Sequence, residues 1–263
     1  MRSVWLMYHD IHDGAPAPDL PASATVYHVS RRTFGEHLAA IRASGLRLAK
    51  PREALSGNFP DSVVITFDDG WQGSFRFGVP MLAGCGWPGV LFITRDFVGK
   101  PGFCTPQMIA EAARSGMEIG VHGTTHRMLS GRSRPEVLEE FRACKEYLES
   151  LLAKPVTCAS LPGGDVNRTI LDCARELGLE CLCTSEPGIH PASGRALGVR
   201  RIAVRVTTSP AAIARYCRMD VRRERARWLA LETPRRLIGM RNYVRLRRWL
   251  LDRRAGARVL WRP

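Results

Sequence analysis

Short apolar segments alternate with amphipathic, helix-like segments along most of this chain. The apolar segments end in polar or Gly-rich turns and cover residues 3–8, 62–67, 89–94, 117–121, 155–161, 180–184 and 200–206. A run such as Val63-Val64-Ile65, apolar at consecutive positions, is typical of a parallel strand covered on both faces. The alternation therefore predicts an α/β fold, either a (β/α) barrel or a doubly wound sheet.

Helix-capping residues mark where the intervening segments start and stop. The predicted starts lie at Ser30, Thr105-Pro106, Ser133 with Glu136, and Asn167, and the predicted stops at Gly45 and Gly178. These positions carry the side chains that satisfy free backbone groups at helix ends. Near Ser209 the pattern changes to an Arg-rich, mostly helical segment. We therefore predict a main α/β domain at residues 1–209 and a basic helical extension at residues 210–263.

The charge of the chain is concentrated in its last quarter. Residues 195–263 hold 20 Arg, no Lys and 4 acidic residues, a balance of +16, so the first 194 residues carry −2 of the total of +14. The two parts are therefore expected to face different partners.

The sequence predicts a cytoplasmic protein with reduced thiols. No apolar run approaches the roughly 20 residues that span a bilayer. His9 and Asp10 interrupt the first apolar run before it reaches the length of a signal peptide, so we interpret it as the first strand. The eight cysteines form no C-x-x-C pair, and several fall within apolar patterns.

Polar side chains follow several of the predicted strands. Asp68 and Asp69 end the segment 62–67, and their side chains should point apart on an extended chain. A turn or helix cap explains Asp-Asp-Gly equally well. His122 and His126 follow the segment 117–121. Strand ends in a parallel fold share one rim, so one carboxylate and two imidazoles could form a three-ligand catalytic metal site.

Taken together, these motifs resemble the polysaccharide deacetylase family, carbohydrate esterase family 4. The resemblance covers roughly residues 3–206 and rests on Leu-Met-Tyr-His-Asp, Thr-Phe-Asp-Asp-Gly, Gly-Val-His-Gly-Thr-Thr-His and Leu-Pro-Gly-Gly-Asp, in the family's order. It implies a distorted (β/α) barrel and a metal-dependent hydrolase that removes acetyl groups from N-acetylated sugars. The expected metal is zinc, with cobalt, nickel or manganese as alternatives.

The resemblance also implies roles for individual residues. Asp68 would be the general base, while Asp69, His122 and His126 would bind the metal. The substrate-binding residues would include Pro162, Gly163 and Gly164. Trp71 could stack on a sugar ring, although loop aromatics more often cover core.

Two departures from the family pattern concern the catalytic residues. The third motif usually begins with Arg, and Ser160 stands at that position, so the salt bridge that orients the base must be absent or supplied from elsewhere. The last motif usually carries a His that acts as general acid, and residues 197–206 contain none. In family members that deacetylate exopolysaccharides this His can lie on the first strand in a Tyr-His-Asp context, so the resemblance implies that His9 in Tyr8-His9-Asp10 is the acid. The first and last strands of a closed barrel are neighbours, which makes this placement geometrically reasonable. His190 is the alternative.

The predicted function is N-deacetylation of an N-acetylhexosamine-containing glycan or a lipid-linked sugar precursor. Alternatives are a deformylase or another amide hydrolase of the same fold, and a catalytically inactive protein that binds glycan or membrane. The basic extension could be a solvated face packed on the barrel, with Arg241, Arg245 and Arg248 on one helix face, or a contact for anionic lipids. The absence of a recognised nucleic-acid motif argues against nucleic acid as a partner.

Overall fold

The computed structural model describes residues 1–14, 22–191 and 194–238. The strands in these ranges are β1 (Arg2–Tyr8), β2 (Asp10–His12), β3 (His28–Ser30), β4 (Arg47–Leu48), β5 (Ser62–Phe67), β6 (Val90–Ile93), β7 (Glu118–Val121), β8 (Cys158–Ser160), β9 (Cys181–Cys183), β10 (Ile189–Pro191), β11 (Leu197–Val199) and β12 (Ile202–Ala203). The α-helices are α1 (Ala22–Thr25), α2 (Arg31–Ala43), α3 (Pro51–Leu55), α4 (Val79–Ala83), α5 (Pro106–Arg114), α6 (Arg134–Leu152), α7 (Arg168–Glu176), α8 (Pro210–Cys217) and α9 (Arg222–Ile238).

The main sheet curls into a nearly closed barrel. Its strand order is β10-β1-β5-β6-β7-β8-β9-β11, and all neighbours from β1 to β11 run parallel. At the closing edge β12 pairs with β1 through Leu6 and Ile202, while β11 pairs with β9. β11 lies at one edge of the sheet and β12 at the other. The two residues between them, Arg200 and Arg201, connect the two edges, and we call this junction the seam of the barrel. The predicted α/β barrel is confirmed.

Alternation along the strands builds two apolar layers. Trp5, Val64 and Phe92 belong to the cluster inside the barrel, whereas Leu6 and Ile65 belong to the larger cluster between the sheet and the helices. Successive side chains of a strand point to opposite faces, and both faces are covered here, which explains the continuous apolar runs. On β5 the same periodicity carries Thr66 and then Asp68 toward the barrel interior above Val64.

The helices start where the capping residues predict. The Ser30 side chain accepts a hydrogen bond from the Thr33 backbone, the Asn167 side chain accepts one from Ile170, and Ser133 forms a capping box with Glu136. Each such bond satisfies a backbone N–H that would otherwise lack a partner at a helix start. These caps fix where each helix begins relative to the strand before it.

The start of the C-terminal segment packs on the barrel domain. Helix α8 lies against α2 and buries Ile213, Tyr216 and Cys217. Arg215 forms an ion pair with Glu224 of α9 at 2.7 Å. The predicted helix face of Arg241, Arg245 and Arg248 lies outside the described residues.

The cysteines are free thiols, and all except Cys85 are buried, as their apolar surroundings in the sequence predict. Among the described residues, no helix combines the length and apolarity that crossing a membrane requires.

Candidate active site at the carboxyl ends of the barrel strands

The polar residues predicted from strand ends do lie at one end of the barrel. His9 follows β1, Asp68 and Asp69 follow β5, and His122 follows β7. Because these strands are parallel, their carboxyl ends open onto the same rim. Residues 122–126 form an irregular loop rather than a helix, so it is the loop conformation that brings His126 back beside His122.

Asp69, His122 and His126 converge on one point. The Nε2 atoms of His122 and His126 lie 3.1 Å and 3.0 Å from Asp69 Oδ1, and potential ligand atoms of the three residues all lie within 4.8 Å of one another. Burial alone would raise the pKa of Asp69, but the charge of His126 and the nearby imidazole of His122 outweigh that effect and hold the pKa well below its usual range. The ionised carboxylate is the form that binds cations.

The orientation of His122 favours a cation at this point. His122 Nδ1 lies 3.0 Å from the carbonyl oxygen of Ser160, which can only accept a hydrogen bond, so Nδ1 carries the proton. If the ring is neutral, Nε2 then carries a lone pair that faces Asp69 Oδ1. This buried oxygen has no well-aligned hydrogen bond within the described residues. Two lone pairs at 3.1 Å need a positive charge between them. Two imidazoles and one carboxylate are also a donor set typical of catalytic zinc.

The backbone around these ligands adopts a conformation that most residues avoid. Asp69 and His126 have φ angles of 72° and 61°, in the left-handed region. Such conformations persist only where the surroundings hold them, and they cluster at functional sites. Glu140 of α6 supplies part of this constraint, because its carboxylate accepts hydrogen bonds from the backbone N–H groups of Thr124 and Thr125 at 2.8 and 2.9 Å.

Asp68 points into the barrel and meets a buried guanidinium. Arg201 donates to both carboxylate oxygens, from Nη1 to Oδ1 at 2.7 Å and from Nη2 to Oδ2 at 2.8 Å. The Ser160 hydroxyl lies 3.0 Å from Asp68 Oδ2 and 2.6 Å from Arg201 Nη2, so it bridges the pair. Arg201 Nε donates to the carbonyl of Thr184, which fixes the guanidinium plane. A two-pronged pair of this kind restrains the carboxylate as well as neutralising it.

This pair keeps Asp68 ionised although it is buried. Burial alone would raise the pKa of Asp68, but the charges of Arg201 and His122 and the hydrogen bonds from Arg201 outweigh that effect, so the pKa lies below its ordinary value. Asp68 is therefore a charged proton acceptor beside the three potential metal ligands.

Comparison with known proteins identifies the family. Residues 57–182 match the family profile described as polysaccharide deacetylase. The structure of the Streptococcus pyogenes deacetylase PplD in complex with acetate superposes with a TM-score of 0.75 at 25% identity, covering 84% of this chain and 99% of that one. Residues 57–182 therefore form a domain of the polysaccharide deacetylase family. YxkH of Bacillus subtilis (strain 168) is 25% identical over 217 residues, which are 80% of this chain and 74% of YxkH. The poly-beta-1,6-N-acetyl-D-glucosamine N-deacetylase of Escherichia coli (strain K12) is 25% identical over 239 residues, 72% of this chain but 35% of that protein.

Arg201 holds Asp68 in place although Ser160 stands where the resemblance leads us to expect an Arg. The guanidinium arrives from the seam between β11 and β12 rather than from β8, and Ser160 contributes its hydroxyl to the same network. The sequence did not reveal this role, because Arg201 is one of several arginines in the Arg-rich last quarter of the chain. Its one distinguishing signal is its position inside an apolar strand segment, Arg201-Ile-Ala-Val.

The structure separates the two histidines considered as general acids. Burial lowers the pKa of His9, and the charges of Asp69 and Asp68 oppose that shift, which places His9 within the electrostatic field of the site. His190 pairs with Ser3 at the start of β1, whereas Tyr8 at the end of β1 pairs with Phe67 at the rim. At about 3.3 Å per residue along a strand, His190 lies roughly 17 Å below the rim.

Aromatic rings line the loops beside the potential metal ligands. Trp71 Nε1 donates to Asp69 Oδ2 at 2.9 Å, and its ring stacks on Phe103 with centroids 4.3 Å apart. Phe97 contacts both Phe103 and the ring of His126, at 4.5 and 5.5 Å between centroids. All three aromatic residues are partly exposed. Part of the predicted sugar-facing ring of Trp71 is therefore covered, while its N–H contacts Asp69.

The predicted substrate-binding turn follows β8 at the same rim. Pro162–Gly164 forms a 3₁₀ turn in which Gly163 and Gly164 have φ angles of 71° and 75°. A side chain on Gly164 would lie 2.4 Å from the backbone nitrogen of Ser185, so only glycine fits there.

Proposed function

We propose that this protein is a metal-dependent hydrolase that removes N-acetyl groups from an N-acetylhexosamine-containing glycan or its lipid-linked precursor, with zinc as the bound ion. The observation that carries the proposal is the placement of Asp68, held ionised by Arg201, beside the converging ligand atoms of Asp69, His122 and His126. A base next to a three-ligand site is the arrangement that amide hydrolysis by an activated water requires.

Asp69, His122 and His126 would hold the ion. A divalent cation bound there supplies Lewis-acid chemistry and lowers the pKa of a water in its open position. Asp68 accepts the proton of the water whose oxygen attacks the acetyl carbon. Arg201 and Ser160 hold the carboxylate in place through this transfer. The C–N bond then breaks, and acetate and the free amine leave.

His9 is the proposed proton donor to the departing amine. It follows β1 on the same rim, and its Nδ1 is buried without a hydrogen-bond partner in the described part of the chain. A lowered pKa makes the protonated ring a stronger acid, which suits proton transfer to an amine nitrogen.

We propose a β-linked N-acetylglucosamine polymer as the first substrate class to examine. The support is the relative from E. coli, whose name gives poly-β-1,6-N-acetyl-D-glucosamine as its substrate. In this proposal Trp71, Pro162, Gly163 and Gly164 contact the sugar, because they lie on the loops that follow β5 and β8 at the rim. The seated sugar would then present its acetamide to Asp68.

Acetate release from short β-1,6-linked N-acetylglucosamine oligomers by the zinc-loaded protein tests this function. Asp68→Asn should abolish release and His9→Ala should reduce it strongly. The matched controls are Asp96→Asn, an exposed carboxylate on a rim loop, and His12→Ala, and both should keep wild-type rates. Release that survives Asp68→Asn would refute the assigned base.

The other outcomes of this assay separate the alternatives. Zinc bound without acetate release would favour a deformylase or another amide hydrolase, and formate release from N-formylated sugars would identify it. A protein that binds neither zinc nor any related ion would favour an inactive glycan-binding role.

The basic extension is proposed to contact anionic membrane surfaces, where lipid-linked substrates would lie. The support is its charge balance: residues 210–263 hold 16 Arg, no Lys and 4 acidic residues, which gives +12. Basic residues near such a surface contribute on the order of 1 kcal/mol each. Sedimentation with phosphatidylserine vesicles at low salt should carry the protein down, neutral vesicles should not, and stronger retention by RNA would contradict the membrane assignment.

A further inference from the structure

The two oxygens of Asp69 have different environments. Oδ1 faces the Nε2 atoms of His122 and His126 at 3.1 and 3.0 Å, whereas Oδ2 accepts the indole N–H of Trp71 at 2.9 Å. Rotation about the last bond of an aspartate is soft, so the backbone alone does not choose which oxygen faces the imidazoles. The Trp71 hydrogen bond makes that choice and leaves Oδ1 free for an ion.

Trp71 is held on more than one side. Phe103 stacks on the indole at 4.3 Å with 28° between the ring planes, and a backbone bridge joins the same two residues. The next residue, Gln72, donates its backbone N–H to Gly102 at 2.9 Å. The ring of His28 contacts the indole nearly edge-on, at 4.6 Å and 73°.

His28 is in turn fixed by a buried carboxylate. Its Nδ1 lies 3.2 Å from Asp10 Oδ2, and only 1% of its side chain is exposed. Asp10 and His28 are registered partners on β2 and β3. The loop after Trp71 is pressed onto the same strand, because a side chain on Gly73 would lie 2.1 Å from the Ile11 carbonyl and 2.4 Å from Asp10 Oδ1.

We infer that Trp71 is a positioning residue for Asp69, and that the Asp10–His28 pair is the support that keeps its indole N–H on Oδ2. The affinity of the ion site for its cation should therefore depend on the contacts that run from Asp10 on β2 through His28 and Trp71 to Asp69. His9 directly precedes Asp10, and the Ser74 hydroxyl donates to the His9 carbonyl at 2.5 Å, so the same contacts fix the backbone of the proposed proton donor. This inference rests on the ion site of the proposed function.

The decisive measurement is the zinc dissociation constant of the purified full-length protein, obtained by competition with a chromophoric chelator. Trp71→Phe keeps an aromatic ring against Phe103 and His28 but removes the N–H. We expect its dissociation constant to rise by roughly 10- to 100-fold, the usual loss when a group that orients a metal ligand is removed. The melting temperature of the metal-free protein should stay near that of wild type, which a purely structural role of Trp71 would not allow.

Trp87→Phe is the matched control. Trp87 is also partly exposed, but it packs against Arg42 and its indole has no contact with the ligand residues. Its zinc affinity should equal that of wild type. If Trp71→Phe fails to fold, benzothienylalanine at position 71, which keeps the shape of the indole and lacks the N–H, provides the same comparison.

Variants of His28 test whether the Asp10–His28 pair holds the Trp71 indole in place. His28→Ala should weaken zinc binding in the same direction as Trp71→Phe, and His28→Phe, which restores a ring against the indole, should recover part of the loss. Wild-type affinity in Trp71→Phe would overturn the inference, and wild-type affinity in His28→Ala would overturn the role of the Asp10–His28 pair. A wild-type protein that binds no cation would instead refute the metal in the proposed function, so the two failures are distinguishable.

Discussion

At the scale of single residues, the proposed base Asp68 and the guanidinium of Arg201 form one unit. Asp68 and Arg201 have side-chain exposures of 3% and 0%, so neither charge can be compensated by water if its partner is lost. Burying two charges costs several kcal/mol for each charge. The two-pronged contact between Arg201 and Asp68 and the bridging hydroxyl of Ser160 offset this cost. Such a pair specifies the position of the carboxylate more than it stabilises the fold.

Arg201→Met should therefore damage both stability and catalysis. Removing one partner of a buried ion pair costs about 3–5 kcal/mol, which denaturant unfolding would measure as a fall in the free energy of unfolding. Without Arg201 the effect of burial dominates, so the pKa of Asp68 should rise above 3.8 and the acid limb of the kcat/KM profile should move to higher pH.

The sign of the pH effect on stability follows from the same shift. In the wild-type protein the folded-state pKa of Asp68 lies below the ordinary 3.8, so its stabilising contribution is complete above about pH 4 and is lost as the pH falls through that lower value. The control is Arg200→Met, because Arg200 is partly exposed and pairs with Glu186. An unchanged acid limb in Arg201→Met would contradict the role given to this residue.

Zinc binding should be weaker at acidic pH. Burial alone would lower the pKa of His126, but the charge of Asp69 raises it above 6.5 in the metal-free protein. Below that raised pKa a proton occupies the lone pair that an ion needs. The apparent dissociation constant should therefore rise as the pH falls through that raised pKa, with a proton released on binding. His126→Ala should bind zinc more weakly and lose this pH dependence, and a pH-independent affinity in wild type would contradict the assignment.

At the scale of secondary structure, the sequence predicted the long elements and missed several of the short ones. Continuous apolar runs predicted β1, β5, β6 and β7, and capping residues predicted the helix starts, because these signals lie within the element itself. Strands such as β10 and β11 span Ile189–Pro191 and Leu197–Val199, too short for periodicity to be detected. Their pairing depends on chain segments that are distant in sequence.

The same limit applied to the site. The residues that follow long strands, Asp68, Asp69, His122 and His9, were placed at one rim by parallel topology alone. Arg201 and the Asp10–His28 pair were not predicted, because each depends on the closure of the barrel or on the docking of a short β-ribbon. A residue whose role comes from a distant partner leaves no local pattern in the sequence.

The turn after β8 offers a test with a built-in control. Gly163 and Gly164 both have positive φ angles, so an alanine costs about 1–2 kcal/mol at either position from backbone strain. At Gly163 the new methyl group meets only the flexible side chain of Met128, whereas at Gly164 it meets the backbone of Ser185. Thermal unfolding should show Gly164→Ala to be less stable than Gly163→Ala by at least about 1 kcal/mol, the cost of forced overpacking. Equal losses would mean that the Ser185 backbone adjusts freely.

At the scale of the whole molecule, the boundary predicted at residue 209 stays a prediction, and the packing of α8 bears on it. Ile213, Tyr216 and Cys217 are buried, and the Tyr216 hydroxyl donates to Glu224 of α9 at 2.9 Å. The His37 Nε2 atom lies 2.9 Å from the carbonyl of Thr208, which ties the segment before α8 to α2. Charge and composition change near Ser209, yet the apolar packing continues past it.

Two truncated proteins would locate the functional boundary. A chain ending at Ala230 keeps α8 and Glu224, and we expect its melting temperature to stay close to that of the full chain. A chain ending at Ser209 loses α8, and each apolar side chain that no longer buries its surface costs about 1.5–3 kcal/mol. It should therefore melt markedly lower. Equal melting temperatures for the two would place the domain boundary at residue 209.

The seam at Arg200 and Arg201 also has a consequence for synthesis of the chain. Asp68 lies in the first third of the sequence, but the guanidinium that holds it is supplied at residue 201, between the strands that close the barrel. A chain emerging from the ribosome therefore carries every proposed metal ligand before it carries the partner of its base. Hydrolytic competence should therefore arise only when the strands that flank Arg201 have closed the barrel.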